Sequence, residues 1–372
     1  WSLGLDISPF SIWRGEDCFE GRAVRLFRMW ELLPLVFWLP YWMTFRPRGF
    51  CEILSELWKR PCPSLQNWNE TFLALGYALV RAKEFEREGY VLCHAVWATM
   101  PATAAIALKK LVGIDFSMGA HAYDVFRRQG DWLLEYKLSD AAFVRTTSES
   151  SQERLLELGL PSSRLRLVRR GLANWPESRG FSGFCKPLEI LTVGRLVPKK
   201  GYPDLLAIFN RLKAAGVAFR AKIVGAGPLE ETLKLERDRF DLSDQVHFLG
   251  GLSESETFAL YAESDLFLFS GRVASDGDRD GIPNVIPEAM AAGLVVITSS
   301  SGGAAEAVED GETGFVLSPS QPDDWVSLIL QLLASPERVA GLRKAAIARA
   351  RDNFDVRRTA RELKSHLLEA CS

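Results

Sequence analysis

The chain has 372 residues, 47% hydrophobic and 25% charged, with a formal net charge of -2. That length suggests two domains, each large enough to bury its own core without disulfides or metals. A charge this near zero supplies no global basic field, so nucleic acid is excluded as the expected partner.

Six cysteines (Cys18, Cys51, Cys62, Cys93, Cys185 and Cys371) form no CxxC pair, and the four histidines lie far apart, so no metal site is expected. Scattered cysteines in a long chain fit a reducing compartment, which places the protein in the cytoplasm. The longest apolar candidate, Leu32 to Phe45, is broken by Pro34, Pro40 and Thr44. It falls short of the roughly 18–20 residues that span a bilayer.

In chain order, residues 19–88 are rich in aromatic residues and arginine. Trp30, Phe37, Trp38, Tyr41, Trp42 and Phe45 cluster beside Arg25, Arg28, Arg46 and Arg48. They read either as a buried helical hairpin with solvated arginines or as a surface for an anionic membrane. Beyond them, Tyr90 to Cys93, Asp115 to Met118, Ala142 to Thr146 and Leu165 to Val168 read as strands, and Ala102 to Leu111 and Ser150 to Leu158 as helices. Gly171 to Pro187 reads as a linker. The second half alternates more clearly, with strands at Leu188–Val193, Ala221–Val224, Gln245–Leu249, Leu266–Phe269, Val295–Thr298 and Gly314–Leu317. Helical patterns at Tyr202–Ala215, Pro228–Phe240, Glu254–Ala262 and Pro283–Ala292 lie between them. Such alternation predicts an α/β fold with a parallel sheet covered on both faces, whose ligands bind at the carboxyl ends of the strands.

Three segments at those ends carry chemistry. In Asp280-Gly281-Ile282-Pro283-Asn284-Val285-Ile286-Pro287-Glu288, two carboxylates flank a glycine turn and a helix start. Pro283 suits a first helical turn, whose free N–H groups can meet phosphate oxygens. Asp280 can accept from sugar hydroxyls, and Glu288 from both hydroxyls of a ribose. After the strand ending at Val193, Gly194, Arg195 and Lys200 offer a close approach and two cations for a diphosphate. Gly302 and Gly303, and Gly225 and Gly227, are glycine turns that let backbone approach a ligand. Asp276-Gly277-Asp278 mimics a metal-binding pair and reads as a solvated loop, because Arg195 and Lys200 already supply counter-charge.

Together these pieces resemble the retaining glycosyltransferase family 4, most densely from Leu188 to Leu317. Its two acidic positions fall on Asp280 and Glu288, with Asp where the family usually has Glu, and its diphosphate-binding pair falls on Arg195 and Lys200. The form of the motif, Asp280 to Asn284 followed by Glu288 to Ala291, is similar to a bacterial exopolysaccharide and colanic-acid-type subgroup. The resemblance implies a GT-B fold, two Rossmann-like domains whose parallel sheets face an interdomain cleft. The domains would be 1–170, on the acceptor side, and 188–350, which binds the nucleotide sugar. A linker at 171–187 and a carboxyl-terminal helix at 351–372 crossing back to the first domain complete that plan. His121, in Ala120-His121-Ala122-Tyr123-Asp124, falls on the family's active-site histidine, and His94 and Trp97 on its acceptor side. Leu3 to Ile7 resembles the family's second strand, so the first βα unit is expected to be missing. The resemblance further implies a metal-independent hexosyltransferase without cofactor, with a nucleotide diphosphate sugar as donor. Its acceptor would be a glycan or lipid-linked glycan at the inner membrane face. Alternatives are a catalytically impaired sugar-nucleotide-binding subunit and a GT-B epimerase or phosphorylase.

Overall fold

The computed structural model describes residues 3–13, 15–178 and 183–371. The chain divides into two compact units, residues 1–168 with 360–372, and residues 169–359.

The first unit opens with two short strand pairs. β1 (Phe10–Ser11) runs parallel to β4 (Arg25–Leu26), and β2 (Cys18–Phe19) is antiparallel to β3 (Arg22–Ala23). Leu3 to Ile7, expected as a strand, is none: Gly4 turns at φ +78°, and the Leu3 carbonyl accepts from Lys364 Nζ instead of joining a ladder. The aromatic- and arginine-rich residues 19–88 contain three helices, α1 (Leu35–Phe45), α2 (Pro47–Lys59) and α3 (Leu65–Glu88). Ser64 starts α3 by accepting from the Asn67 N–H at 3.1 Å, and Gly89 at φ +70° ends it. Trp42 is the one fully buried residue of α1, its indole N–H donating to the Leu79 carbonyl at 2.7 Å.

After these come β5 (Leu92–Ala95), α4 (Met100–Val112), β6 (Asp115–Gly119), α5 (Ala122–Phe126), α6 (Leu134–Asp140), β7 (Val144–Thr146), α7 (Glu149–Glu157) and β8 (Leu165–Leu167). The four strands form a parallel sheet in that order.

The second unit contains β9 (Leu188–Val193), α8 (Tyr202–Ala214), β10 (Phe219–Val224), α9 (Glu230–Arg239), β11 (Val246–Gly250), α10 (Glu254–Glu263), β12 (Leu266–Phe269), α11 (Val285–Ala291), β13 (Val295–Ser299), β14 (Phe315–Leu317), α12 (Pro322–Leu333) and α13 (Pro336–Phe354). The final helix, α14 (Val356–Ala370), starts in this unit and belongs to the first from Ala360 onward. The six strands of the second unit form one parallel sheet, ordered β11-β10-β9-β12-β13-β14. The period-two alternation explains how both faces are covered. Ile190, Leu266 and Leu268 face one core with Leu205 and Phe209 of α8 and Trp325 of α12. Leu191, Phe267 and Phe269 face the other with Ile286 and Met290 of α11 and Ala350 of α13.

The described residues of 171–187, a segment expected as a linker, bond into this second unit on either side of 179–182. The Leu172 N–H donates to the Phe354 carbonyl at 2.7 Å. Asp265 accepts from the Cys185 and Glu189 N–H groups, each at 3.1 Å. The same carboxylate, fully buried, meets the equally buried Arg343 guanidinium at 3.2 Å. One ion pair therefore ties the entering chain, β9, β12 and α13 together. Removing one member would leave an uncompensated buried charge, which costs about 3–5 kcal/mol. Arg343→Met is accordingly expected to lower the unfolding free energy by about that amount, measured by urea denaturation; a loss under about 1 kcal/mol would refute this role.

Candidate functional site

In the larger sheet, β10 and β11 extend to one side of β9, while β13 and β14 extend to the other side of β12. The strand order thus reverses between β9 and β12, and a crevice is expected beyond the carboxyl ends of those two strands. The loops leaving those ends, 194–201 and 270–284, carry the predicted motifs.

Glycine lets these loops cross closely. Gly201 has φ +69°, and a Cβ there would lie 1.9 Å from the Ser270 carbonyl oxygen. At Gly225, φ +137°, a Cβ would lie 2.0 Å from the Gly194 carbonyl oxygen. Both positions therefore exclude any side chain. The Tyr202 hydroxyl donates to that same Gly194 carbonyl at 2.7 Å and fixes the loop from below. Gly227 packs on the backbone of Leu196.

With the loops so placed, charges meet. Lys200 Nζ lies 2.8 Å from Asp280 Oδ2 and 5.0 Å from the centre of the Phe269 ring. Lys199 Nζ lies 3.1 Å from Asp278 Oδ1 and 3.4 Å from Asp280 Oδ1. Burial lowers the pKa of the Lys200 ammonium, and the Asp280 carboxylate opposes that shift. Arg195, in the same loop, is exposed and forms no ion pair among the described residues. Asp278, expected in a solvated loop, is instead engaged by Lys199. The Asp280 carbonyl accepts from the Gly303 N–H at 3.0 Å, and Gly302, at φ +62°, packs against the same oxygen, so the turn after β13 is tied to the motif.

The helix start differs from expectation. Pro283 stands before α11, which begins at Val285 and is seven residues long. The Ile286 N–H donates to the Pro283 carbonyl at 3.0 Å. So short a helix offers little macrodipole, and the lysines are the main positive charge here. Gly281, Ile282 and Asn284 make up the turn into α11. Glu288, inside α11, is held by the buried Tyr261 of α10, whose hydroxyl donates to Oε2 at 2.9 Å. Burial raises the Glu288 carboxyl pKa, the Tyr261 hydrogen bond lowers it, and Glu254 adds a smaller upward push.

In the first unit, His121 stands at the start of α5, directly beyond β6. Its N–H donates to Asp124 Oδ1 at 2.7 Å, while the Ala98 N–H donates to Asp124 Oδ2 at 3.0 Å. One buried carboxylate thus joins the turns after β5 and β6. The Trp97 and His121 rings meet edge to face at 5.3 Å, and Tyr123 lies 5.9 Å from Trp97. His94 is held within the sheet of this unit. Its Nδ1 lies 2.9 Å from Ser117 Oγ on the neighbouring strand, and its ring stacks on Phe143. Burial, with a smaller contribution from Arg145, pushes its pKa down to about 4, so it is neutral at ordinary pH.

Residues 176–352 match the family described as glycosyl transferases group 1. Through this segment the chain belongs to the group 1 glycosyltransferases. It is 32% identical over 223 residues to WcaL of Escherichia coli, a glycosyltransferase assigned to colanic acid biosynthesis, covering 58% of this chain and 54% of that one. It is 31% identical over 273 residues to the amylovoran biosynthesis glycosyltransferase AmsK of Erwinia amylovora, covering 71% and 66%. The chain therefore spans between about half and two thirds of the length of these relatives. Among solved structures, Anabaena Alr3699/HepE, crystallised in complex with UDP, superposes with a TM-score of 0.65 at 20% identity, over 78% of this chain and 82% of that one. That likeness shows the fold, GT-B.

Sequence reasoning passes over Tyr202, Tyr261, Lys199 and Asp124. Asp124 alone leaves a local signal, as an acid three residues after a helix start. Its carboxyl is raised to about 7 by burial, against the opposing N–H bonds from Ala98 and His121 and with a smaller upward push from Asp131. A folded pKa above the ordinary value of 3.8 means the protonated form is favoured by folding. Its stabilisation is complete below the unfolded pKa and is lost as pH rises through about 7. Between about pH 4 and pH 7, unfolding free energy should fall relative to that of Asp124→Asn by up to about 1.4 kcal/mol per pH unit. Denaturant titrations at several pH values check this; parallel pH profiles for the two proteins would contradict it.

Proposed function

We propose that this chain transfers a sugar from a nucleotide diphosphate donor to a glycan or lipid-linked glycan acceptor in polysaccharide biosynthesis. The anomeric configuration is retained and no metal is required. The observation that carries this reading is the cluster of Lys199, Lys200, Asp278 and Asp280 at the switch point, with Arg195 exposed in the same loop. The named roles of WcaL in colanic acid biosynthesis and of AmsK in amylovoran biosynthesis support the substrate class, and the UDP bound to Alr3699/HepE supports a nucleotide diphosphate.

In this mechanism the donor diphosphate lies against Arg195 and Lys200, whose charges grow in effect as the sugar–phosphate bond breaks. The lysines and Arg195 supply the counter-charge that a divalent cation supplies elsewhere, and Asp278 is occupied by Lys199 rather than open to a metal. Asp280 orients Lys200 and accepts from a hydroxyl of the transferred sugar. Tyr261 holds one oxygen of Glu288 and aims the carboxylate at the ribose hydroxyls. Within the first unit, His121, with Trp97 edge-on to its ring, offers a hydrogen-bonding group to a sugar hydroxyl. The acceptor hydroxyl forms its bond to the anomeric carbon on the face the diphosphate leaves, and its proton passes to a phosphate oxygen of the leaving group. The reaction takes place on the cytoplasmic side, where a lipid-linked acceptor presents its glycan.

Lys200→Ala is expected to lower kcat by about 100–1,000-fold, the usual loss for one group stabilising a developing charge. Glu288→Ala is expected to raise the donor KM about tenfold or more while leaving kcat nearer its original value, through loss of a charged hydrogen bond. Both are read from nucleoside diphosphate release in the presence of a glycan acceptor. Unchanged turnover in Lys200→Ala would refute the diphosphate assignment.

A further inference from the structure

Three ionisable side chains of the first unit are buried beside the turns that carry Trp97 and His121: Asp124 (1% exposed), Asp131 (3%) and Lys137 (0%). Lys137, in α6, donates from Nζ to Asp131 Oδ2, to the Ala98 carbonyl and, at 3.2 Å, to the Thr103 hydroxyl. Asp131 Oδ1 accepts from the Asn67 side-chain amide of α3 at 3.1 Å, and the Asp131 N–H donates to the Asp124 carbonyl at 3.0 Å. Ala98 is therefore gripped from both sides, its N–H by Asp124 and its carbonyl by Lys137. Trp97 directly precedes it, and the same Asp124 carboxylate takes the His121 N–H.

Such an arrangement is a poor source of stability. Desolvation offsets much of the attraction in a buried ion pair, and apolar residues of the same size often serve as well. Lys137 is already balanced by Asp131, so a third buried carboxyl adds a cost that no further cation offsets. What the three groups supply is direction, because their bonds fix one peptide unit and one helix start, with a ring beside each.

The bonds to Asp124 depend on its proton. As a carboxylate it accepts one N–H on each oxygen. Protonation removes the charge that strengthens both bonds and adds a donor where only donors already point. Burial raises this carboxyl to about 7, so both forms are populated near neutral pH. The ionisable groups around it are few. Asp131 and Lys137 meet it from α6 and the turn before it, and Glu70 of α3 with Arg127 and Arg128 lines the same polar recess. His121 and Tyr123 flank it in sequence. The turn after β5 and α4 bring Ala98, Thr99 and Thr103, and α7, also packed on α5, buries Ser151 and Leu155, none of which carries charge.

We infer that Asp124 is a positioning residue whose carboxylate form, braced by the Lys137–Asp131 pair, sets the turns of His121 and Trp97 for the sugar. The role of those rings rests on the transfer reading, whereas the positioning itself is read without substrate. The test is amide NMR of the 372-residue chain as pH is varied. In the wild type, the His121 and Ala98 amide resonances should move together with one midpoint near 7. The Ala98 midpoint should persist in His121→Gln, since it belongs to the carboxyl and not to the imidazole, and should disappear in Asp124→Asn. The wild type and His121→Gln keep Asp124, so this arm does not depend on how Asp124→Asn folds.

UDP-glucose and GDP-mannose serve as donor probes for the second readout, release of nucleoside diphosphate. In the wild type, kcat should fall as pH drops below the same midpoint. Asp124→Asn should lower kcat about 100-fold, the cost of misplacing a group by about 1 Å, and should remove that pH dependence. Its affinity for the released nucleoside diphosphate should stay unchanged, which a general loss of fold would not allow. Amide resonances that stay still in the wild type, a midpoint that survives in Asp124→Asn, or one that vanishes in His121→Gln would overturn the inference. So would turnover indifferent to Asp124→Asn. No turnover by the wild type, with the common amide midpoint present, would instead sink the transfer reading and leave the positioning of the two turns supported.

Discussion

The structure of the second unit turns on two loops crossing where the parallel sheet reverses its strand order. Gly201 lies against the Ser270 carbonyl so closely that a single methyl group would separate the loops. That approach brings Lys199 and Lys200, from one side of the reversal, onto Asp278 and Asp280 from the other. Neither pair would form between neighbouring turns of one loop. The sheet's topology supplies the meeting point, glycine supplies the proximity, and opposite charge holds the result. Arg195 is left as the exposed cation beside an otherwise compensated cluster, which suits it to an incoming anion.

Much of this is legible in the sequence. Aliphatic and β-branched runs at Leu188–Val193 and Leu266–Phe269 are strands with those same bounds. Burial on both faces makes such runs nearly continuous, and a continuous run has clear ends. Asp280, Glu288, Arg195 and Lys200 stand out because they sit in short local motifs at strand ends. Tyr261 does not, since it reaches the site from a neighbouring helix and stands beside no motif; Tyr202 directly follows the lysine motif, but nothing local marks the bond from its hydroxyl to the Gly194 carbonyl. The pairing of Lys199 with Asp278 is hidden for the same reason: 79 residues separate them.

The amino-terminal region shows the opposite case. Leu3 to Ile7 has the alternation of a strand, but Gly4 and a side-chain bond from Lys364 give its backbone another course. In α1, apolar residues on every side leave no periodicity from which to choose a buried face. Only packing against α3 settles which aromatic residues go inside, and it leaves Phe37 and Phe45 outside. The same feature that obscures the sequence is thus the one that leaves apolar side chains of this helix exposed.

The most direct test of the account is calorimetric titration of the wild-type chain and of Lys200→Ala with UDP, GDP and ADP, each with a chelator present. The account predicts that one nucleoside diphosphate binds the wild type without divalent metal and that Lys200→Ala binds it at least tenfold more weakly, about 1.4 kcal/mol. Equal affinity in the two proteins, or binding that appears only when metal is added, would contradict it.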